Sequence, residues 1–180
     1  MNIQHRINGK VYFVTTTVVD WVDLFSRPVY KHIVLESLDY CIQNKGMEIY
    51  AWVLMTNHLH LLIGVTGENT VSDIVRDFKK YTSKKLIDTL QREVTESRRE
   101  WMLDRFEFSG RNDKKIKNYR FWQEGTDIQE VFLNDYFEQK MEYIHNNPVK
   151  AEIVNHSHEY RYSSAIDYAG GKGLLPVVVV

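Results

Sequence analysis

Met47-Glu48-Ile49-Tyr50-Ala51-Trp52-Val53-Leu54-Met55, then Thr56-Asn57, then His58-Leu59-His60-Leu61-Leu62-Ile63-Gly64-Val65: two apolar runs joined by two polar residues specify a β-hairpin. Working outward, Lys10 to Val19 is rich in β-branched and aromatic residues and reads as a further strand. Between it and the hairpin, Ser26-Arg27-Pro28 is a helix start with Pro in the first turn, where its missing N–H does no harm. Val34, Leu38, Cys41 and Ile42 follow at helical spacing and should face the core, and Gly46 closes the helix. After the hairpin, Thr70 with Asp73 resembles a capping box and opens a long helix carrying Ile74, Phe78, Tyr81 and Leu86.

The later half is read less sharply. Gln91 to Asn118 is polar and charged, a helical extension with a break at Ser109-Gly110-Arg111-Asn112-Asp113. Tyr119–Gln123 and Ile128–Phe132 look like short strands. Asn134 can cap a helix from Asp135 to about Asn146, which Pro148 ends. In the tail, Gly170-Gly171 is a break, and the terminal Val run is a candidate added strand. The order strand-helix-strand-strand-helix-strand predicts an α+β sandwich of ferredoxin-like (RRM-like) type, an antiparallel sheet with helices packed on it. One domain over 1–180 is expected, with 91–118 a variable charged insertion and 150–180 a C-terminal tail.

Composition narrows the function classes. With 43% apolar and 26% charged residues in 180, the chain has the profile of a globular domain with a real core. A single cysteine, Cys41, excludes a disulfide scaffold and suits a reducing cytoplasm. No apolar run is long enough to span a bilayer, so no membrane role is expected. The net charge is -1, yet residues 71–120 carry 14 Lys/Arg against 9 Asp/Glu, an asymmetry that permits a polyanionic partner. Arg76, Lys79, Lys80 and Lys84 form a candidate phosphate-binding stripe on the second helix, against the plainer reading of a solvated outer face.

Two constellations carry chemistry. In a strand, residues i and i+2 point to one side, so His58 and His60 place two imidazoles together while Leu59 points away. Two neutral imidazoles suit a divalent metal; the alternative is that they satisfy backbone partners. Tyr143 and Asn147, at i and i+4, share a helix face and put a phenol beside a carboxamide oxygen able to act as a hard ligand. A tyrosine on a core-facing helix and an Asn before Pro is the ordinary alternative. Together the two elements fit a tyrosine nucleophile that opens a phosphodiester, keeps the 5′ phosphate as a covalent ester and releases a 3′ hydroxyl. Tyr136, two turns before Tyr143, is the rival nucleophile. His145 points away from the Tyr143–Asn147 face, toward the surface on this reading. Phe121 and Trp122 should face opposite sides of a strand, one of them free to stack on a base; Tyr119, Tyr160 and Tyr162 are further stacking candidates.

His58-Leu59-His60 resembles the His-hydrophobic-His motif of HUH endonucleases. With Met55-Thr56-Asn57 before it, Phe121-Trp122-Gln123, and Tyr143-Ile144 through Asn147-Pro148-Val149-Lys150-Ala151, the chain from Lys10 to about Tyr168 is similar to single-tyrosine transposases, most of all the REP-associated (RayT) branch. The resemblance implies Tyr143 as nucleophile, His58 and His60 as metal ligands, and Asn147 as third ligand where insertion-sequence relatives have Gln. It also implies magnesium or manganese, single-stranded or hairpin DNA such as REP-like palindromes, and a monomer or homodimer. The expected activity is metal-dependent cleavage and transfer of single-stranded DNA. The alternatives are a non-catalytic nucleic-acid-binding protein on the same fold and a replication or relaxation nickase, for whose additional regions the chain has no room.

Overall fold

In the computed structural model, the described residues are 7, 9–111, 113, 118–132 and 135–180. Four strands form one antiparallel sheet in the order β2-β3-β1-β4: β1 (Val11–Thr17), β2 (Met47–Leu54), β3 (His58–Val65) and β4 (Asp127–Val131). Helices α1 (Pro28–Lys45) and α2 (Val71–Arg92) pack on each other, and α1 also packs on β2. Helix α4 (Asp135–Lys150) packs on β2 and β3. This is the ferredoxin-like sandwich that the element order predicts. No helix among the described residues is long and apolar enough to cross a membrane.

Alternation along the strands divides the core in two. Val14, Ile49, Trp52, Leu54, Leu59, Leu61 and Ile63 are buried on the α1/α2 side. Val11, Phe13, Tyr50, Leu62 and Val131 join Phe137 and Ile144 of α4 on the other. The ends of the elements follow local chemistry. Pro28 stands in the first turn of α1, and Gly46 ends it with φ 73, a left-handed conformation in which a side chain would strike the Thr66 carbonyl. The Thr70/Asp73 capping box opens α2.

The structure corrects several expectations. Tyr119–Gln123 is not a strand; it makes one isolated bridge, Trp122 to Val18, and both Phe121 and Trp122 are buried in the core, so neither is free to stack on a base. Residues 91–118 are not a simple extension of α2. They hold a separate helix, α3 (Arg99–Gly110), docked through Met102 and Phe106, while Asn112 of the expected break lies outside the described residues. Tyr81 is exposed, and Thr82 takes the core position because the i+4 row Ile74, Phe78, Thr82, Leu86 faces inward. The Thr82 hydroxyl donates to the Phe78 carbonyl and accepts the Trp122 indole N–H at 2.9 Å. Helix α4 runs through Pro148 to Lys150. A proline in the last turn keeps a helical φ and forfeits only one ladder bond. The expected cap, Asn134, lies outside the described residues.

The tail closes the outer edge of β2, though not as a strand. Leu54 N–H donates to the Tyr162 carbonyl, Ser164 N–H to the Trp52 carbonyl, and Val178 N–H to the Ile49 carbonyl. The Tyr160 hydroxyl donates to the Leu54 carbonyl and that of Tyr168 to the Tyr50 carbonyl. Tyr160 is thereby buried and unavailable to a base. These bonds satisfy groups that a free edge would present to another chain.

Candidate functional site

On the α4 side of the sheet the apolar face gives way to polar residues. Register aligns His60 of β3, Thr15 of β1 and Asp127 of β4 in one row, with the pair His58 and Thr17 beyond it. A cleft of about 430 Å³ is lined there by Phe13, Thr15, Thr17, Trp21, His58, His60, Asp127, Gln129, Lys140, Tyr143 and Asn147.

The two imidazoles share this cleft, their centroids 4.8 Å apart. His58 Nδ1 lies 2.7 Å from Asn57 Oδ1. Because the Asn57 amide N–H donates to the Trp21 carbonyl (3.2 Å) and to Asp23 (2.9 Å), its oxygen is left to accept from His58. Nδ1 of His58 therefore carries the proton and Nε2 keeps a lone pair. His60 Nδ1 pairs with the Thr15 hydroxyl at 2.9 Å, which likewise leaves Nε2 as the nitrogen for a ligand. Burial lowers both pKa values. For His60 the value falls to about 3, with His58 and Lys140 adding to the shift; for His58 the nearby Asn147 carboxamide and Asp23 oppose it. Both rings are neutral at pH 7, the state that binds metal.

Helix α4 brings its residues over the pair. The Tyr143 ring stands edge-on to His60 at 5.2 Å and to Phe13 at 6.0 Å, and is 40% exposed. The Lys150 ammonium lies 5.4 Å from the Tyr143 ring, and the Lys140 ammonium 4.2 Å from that of Phe13. Asn147 donates its amide N–H to the Tyr143 carbonyl at 2.9 Å, which leaves its oxygen for the cleft. Phe137 and Ile144 are fully buried against the sheet and fix this helix. Tyr136 does not line the cleft; its ring sits 5.1 Å from the Lys140 ammonium.

His145 points away from this face, as expected, but into the protein rather than to solvent. Its Nε2 is 2.8 Å from the Ser164 hydroxyl, its ring packs on Tyr168, and burial pushes its pKa down to about 4. The sequence places a surface there because the docked tail is not legible in the helical period. Among the basic residues of α2, Lys79 donates to the Gln123 and Gly125 carbonyls and the Thr126 hydroxyl, and burial holds its pKa at about 8. Its ammonium is spent on a turn rather than on a phosphate stripe. Arg76 is paired with Asp73 and Asp77. Lys80 and Lys84 are exposed and have no ion pair among the described residues; with Asn118 and Tyr119 they line a second groove of about 520 Å³.

Sequence reasoning missed Trp21, Lys140, Asp127 and Gln129 as members of the cleft. The alternation of β4 would have aimed Asp127 and Gln129 at one face once its register was known. Nothing in the local pattern marks Trp21.

Comparison with known proteins agrees with this fold. A sequence profile described as "Transposase IS200 like" matches residues 15–119, more than half of the chain and including the histidine pair. The chain belongs to the IS200-like transposases. Tyr143 and Asn147 lie beyond the matched stretch. The structure of a REP-associated tyrosine transposase bound to a REP hairpin matches with a TM-score of 0.62 over 97% of this chain and 87% of that one, at 18% identity, a likeness of fold. A candidate transposase from Deinococcus radiodurans R1 matches at 17% identity over 78% of this chain and 92% of that one, with a TM-score of 0.48. No curated protein matches. As an IS200-like transposase, the protein is a DNA-processing enzyme.

Proposed function

We propose that this transposase, one domain over 1–180, cleaves and rejoins single-stranded DNA through a 5′-phosphotyrosine on Tyr143. The observation that carries the reading is the phenol standing 5.2 Å from His60, over two neutral imidazoles of the same chain. The tyrosine then works in cis, and the site is complete in a monomer. That the solved relative is bound to a REP hairpin supports a hairpin-bearing strand as substrate.

The donor set fits a divalent cation. His58 and His60 each offer a neutral Nε2, and Asn147 offers a carboxamide oxygen. Among the described residues no group of three His, Cys, Asp or Glu could hold a metal; on this reading Asn147 completes the set with its amide oxygen. Mg²⁺ or Mn²⁺ held there supplies positive charge against the phosphate oxygens, and the nitrogen donors favour Mn²⁺ over Mg²⁺.

The residues of the chain account for the rest. The Tyr143 hydroxyl, which makes no hydrogen bond among the described residues, gives its proton to water as its oxygen bonds to phosphorus. The P–O3′ bond breaks, and the 3′ oxygen leaves with a proton from water as a hydroxyl. The phosphodiester energy is kept in the new ester, so a second 3′ hydroxyl can reverse the step. Lys140, without a carboxylate partner among the described residues, offsets charge on the phosphate.

Labelled hairpin DNA with Mn²⁺ should give a protein–DNA adduct that survives a denaturing gel. Tyr143→Phe should abolish the adduct, with the melting temperature within about 1–2 °C of wild type, while Tyr136→Phe keeps it. Loss of the adduct in Tyr136→Phe alone would reassign the nucleophile. DNA binding without any adduct would favour a non-catalytic binding protein.

A further inference from the structure

Trp21 is 59% exposed at the lip of the cleft, whereas Trp52 and Trp122 are buried. It is carried on an unusual backbone. Asp20 and Trp21 are consecutive non-glycine residues with φ of 53 and 54, in the left-handed region that a bulky side chain rarely adopts. The strap is nevertheless firmly held. Val18, Val19, Val22 and Leu24 on either side are buried, Val19 N–H donates to the Phe121 carbonyl, and Trp21 N–H donates to the Val18 carbonyl. Asn57 clamps it from the hairpin turn through the Trp21 carbonyl and Asp23, with the Thr56 hydroxyl donating to Asp23 at 2.7 Å. The fold thus keeps a strained conformation whose visible result is an indole held in water, edge-on to His58 at 6.1 Å. Backbone strain that nearby packing maintains without burying the residue it displays points to function.

We infer that Trp21 is the stacking platform for an unpaired nucleobase next to the phosphate that the histidine cleft receives. The same Asn57 side chain that fixes the His58 tautomer holds the Trp21 carbonyl, so base platform and metal-ligating ring are set by one residue. Stacking on an indole is sequence-tolerant and requires a base free of its partner strand. The platform therefore selects single-stranded over paired DNA at the cleavage point, leaving sequence choice to other contacts. This inference rests on the single-stranded DNA reading above.

The test uses the full chain in EDTA, so that binding is read without cleavage. In a Trp101→Phe background Trp21 is the one exposed tryptophan, and titration with a single-stranded oligonucleotide should quench its emission, while a blunt duplex of the same sequence should not. Trp21→Ala should weaken single-strand binding, read by anisotropy, roughly tenfold, and Trp21→Phe should recover part of the loss. With Mn²⁺ restored, the loss should fall on KM rather than kcat. Trp21→Gly should melt above Trp21→Ala, because glycine accepts the left-handed φ; this separates the strain from the stacking. Binding without quenching, or unchanged affinity in a folded Trp21→Ala, overturns the inference and leaves the tyrosine chemistry standing. A wild-type chain that binds no single-stranded DNA overturns both.

Discussion

The two faces of one sheet have been put to different uses. On the α1/α2 side, Val14, Ile49, Trp52, Leu59, Leu61 and Ile63 make a largely apolar surface beneath two long helices. On the other side α4 packs on β2 and β3, and the apolar surface stops at Phe13 and Leu62. Beyond it the same strands present Thr15, Thr17, His58, His60 and Asp127 to an open cleft. Because strand residues alternate, Leu59 and His60 are neighbours in sequence and belong to opposite tasks. A face that needs no function can be packed for stability, and that stability supports desolvated imidazoles and a strained strap on the other.

The sharpest way to break the comparison is to truncate neighbours on opposite faces. Leu59→Ala should destabilise the chain by about 3 kcal/mol in urea unfolding, with metal-dependent cleavage retained at temperatures where the variant is folded. His58→Ala, one residue away, should remove that cleavage and cost less than about 1 kcal/mol of stability. Equal stability losses would mean that the cleft face bears as much of the fold as the apolar face.

Between pH 7 and pH 4 acid should act first on the α4 side, before it reaches the lowered carboxyls of Asp73 and Asp77 on α2. The buried histidines among the described residues, His60 and His145, both lie on the α4 side, with pKa values lowered to about 3 and about 4 by burial. Below pH 6.5 the unfolded chain takes up protons that these rings refuse, so stability is highest above that pH and falls as pH drops toward 4. For His145, a shift from 6.5 to about 4 corresponds to roughly 3 kcal/mol. Urea midpoints measured from pH 7 to pH 4 should fall steeply in wild type and less steeply in His145→Gln. Identical slopes would show that His145 is not held neutral by burial.

The smallest effect tests the strap. Asp20→Gly should stabilise the chain by about 0.5–1 kcal/mol, since glycine adopts φ 53 without steric cost. No gain in melting temperature would place the strain elsewhere.

What the sequence determined by itself is local. The hairpin, the Pro28 start of α1, the Thr70/Asp73 box, the i, i+2 pairing of His58 with His60 and the i, i+4 pairing of Tyr143 with Asn147 follow from strand and helix periods, which act over a few residues. These sufficed for the sandwich and for the side chains at the centre of the cleft. Tertiary structure decided what depends on distant chain. The docked tail buries His145, Trp122 is drawn into the core by the Thr82 hydroxyl, the 123–126 turn takes up the Lys79 ammonium, and Asn57 holds Trp21 in a conformation that its own sequence disfavours. Each joins residues 19 or more apart, and a periodic pattern carries no record of a partner so far along the chain.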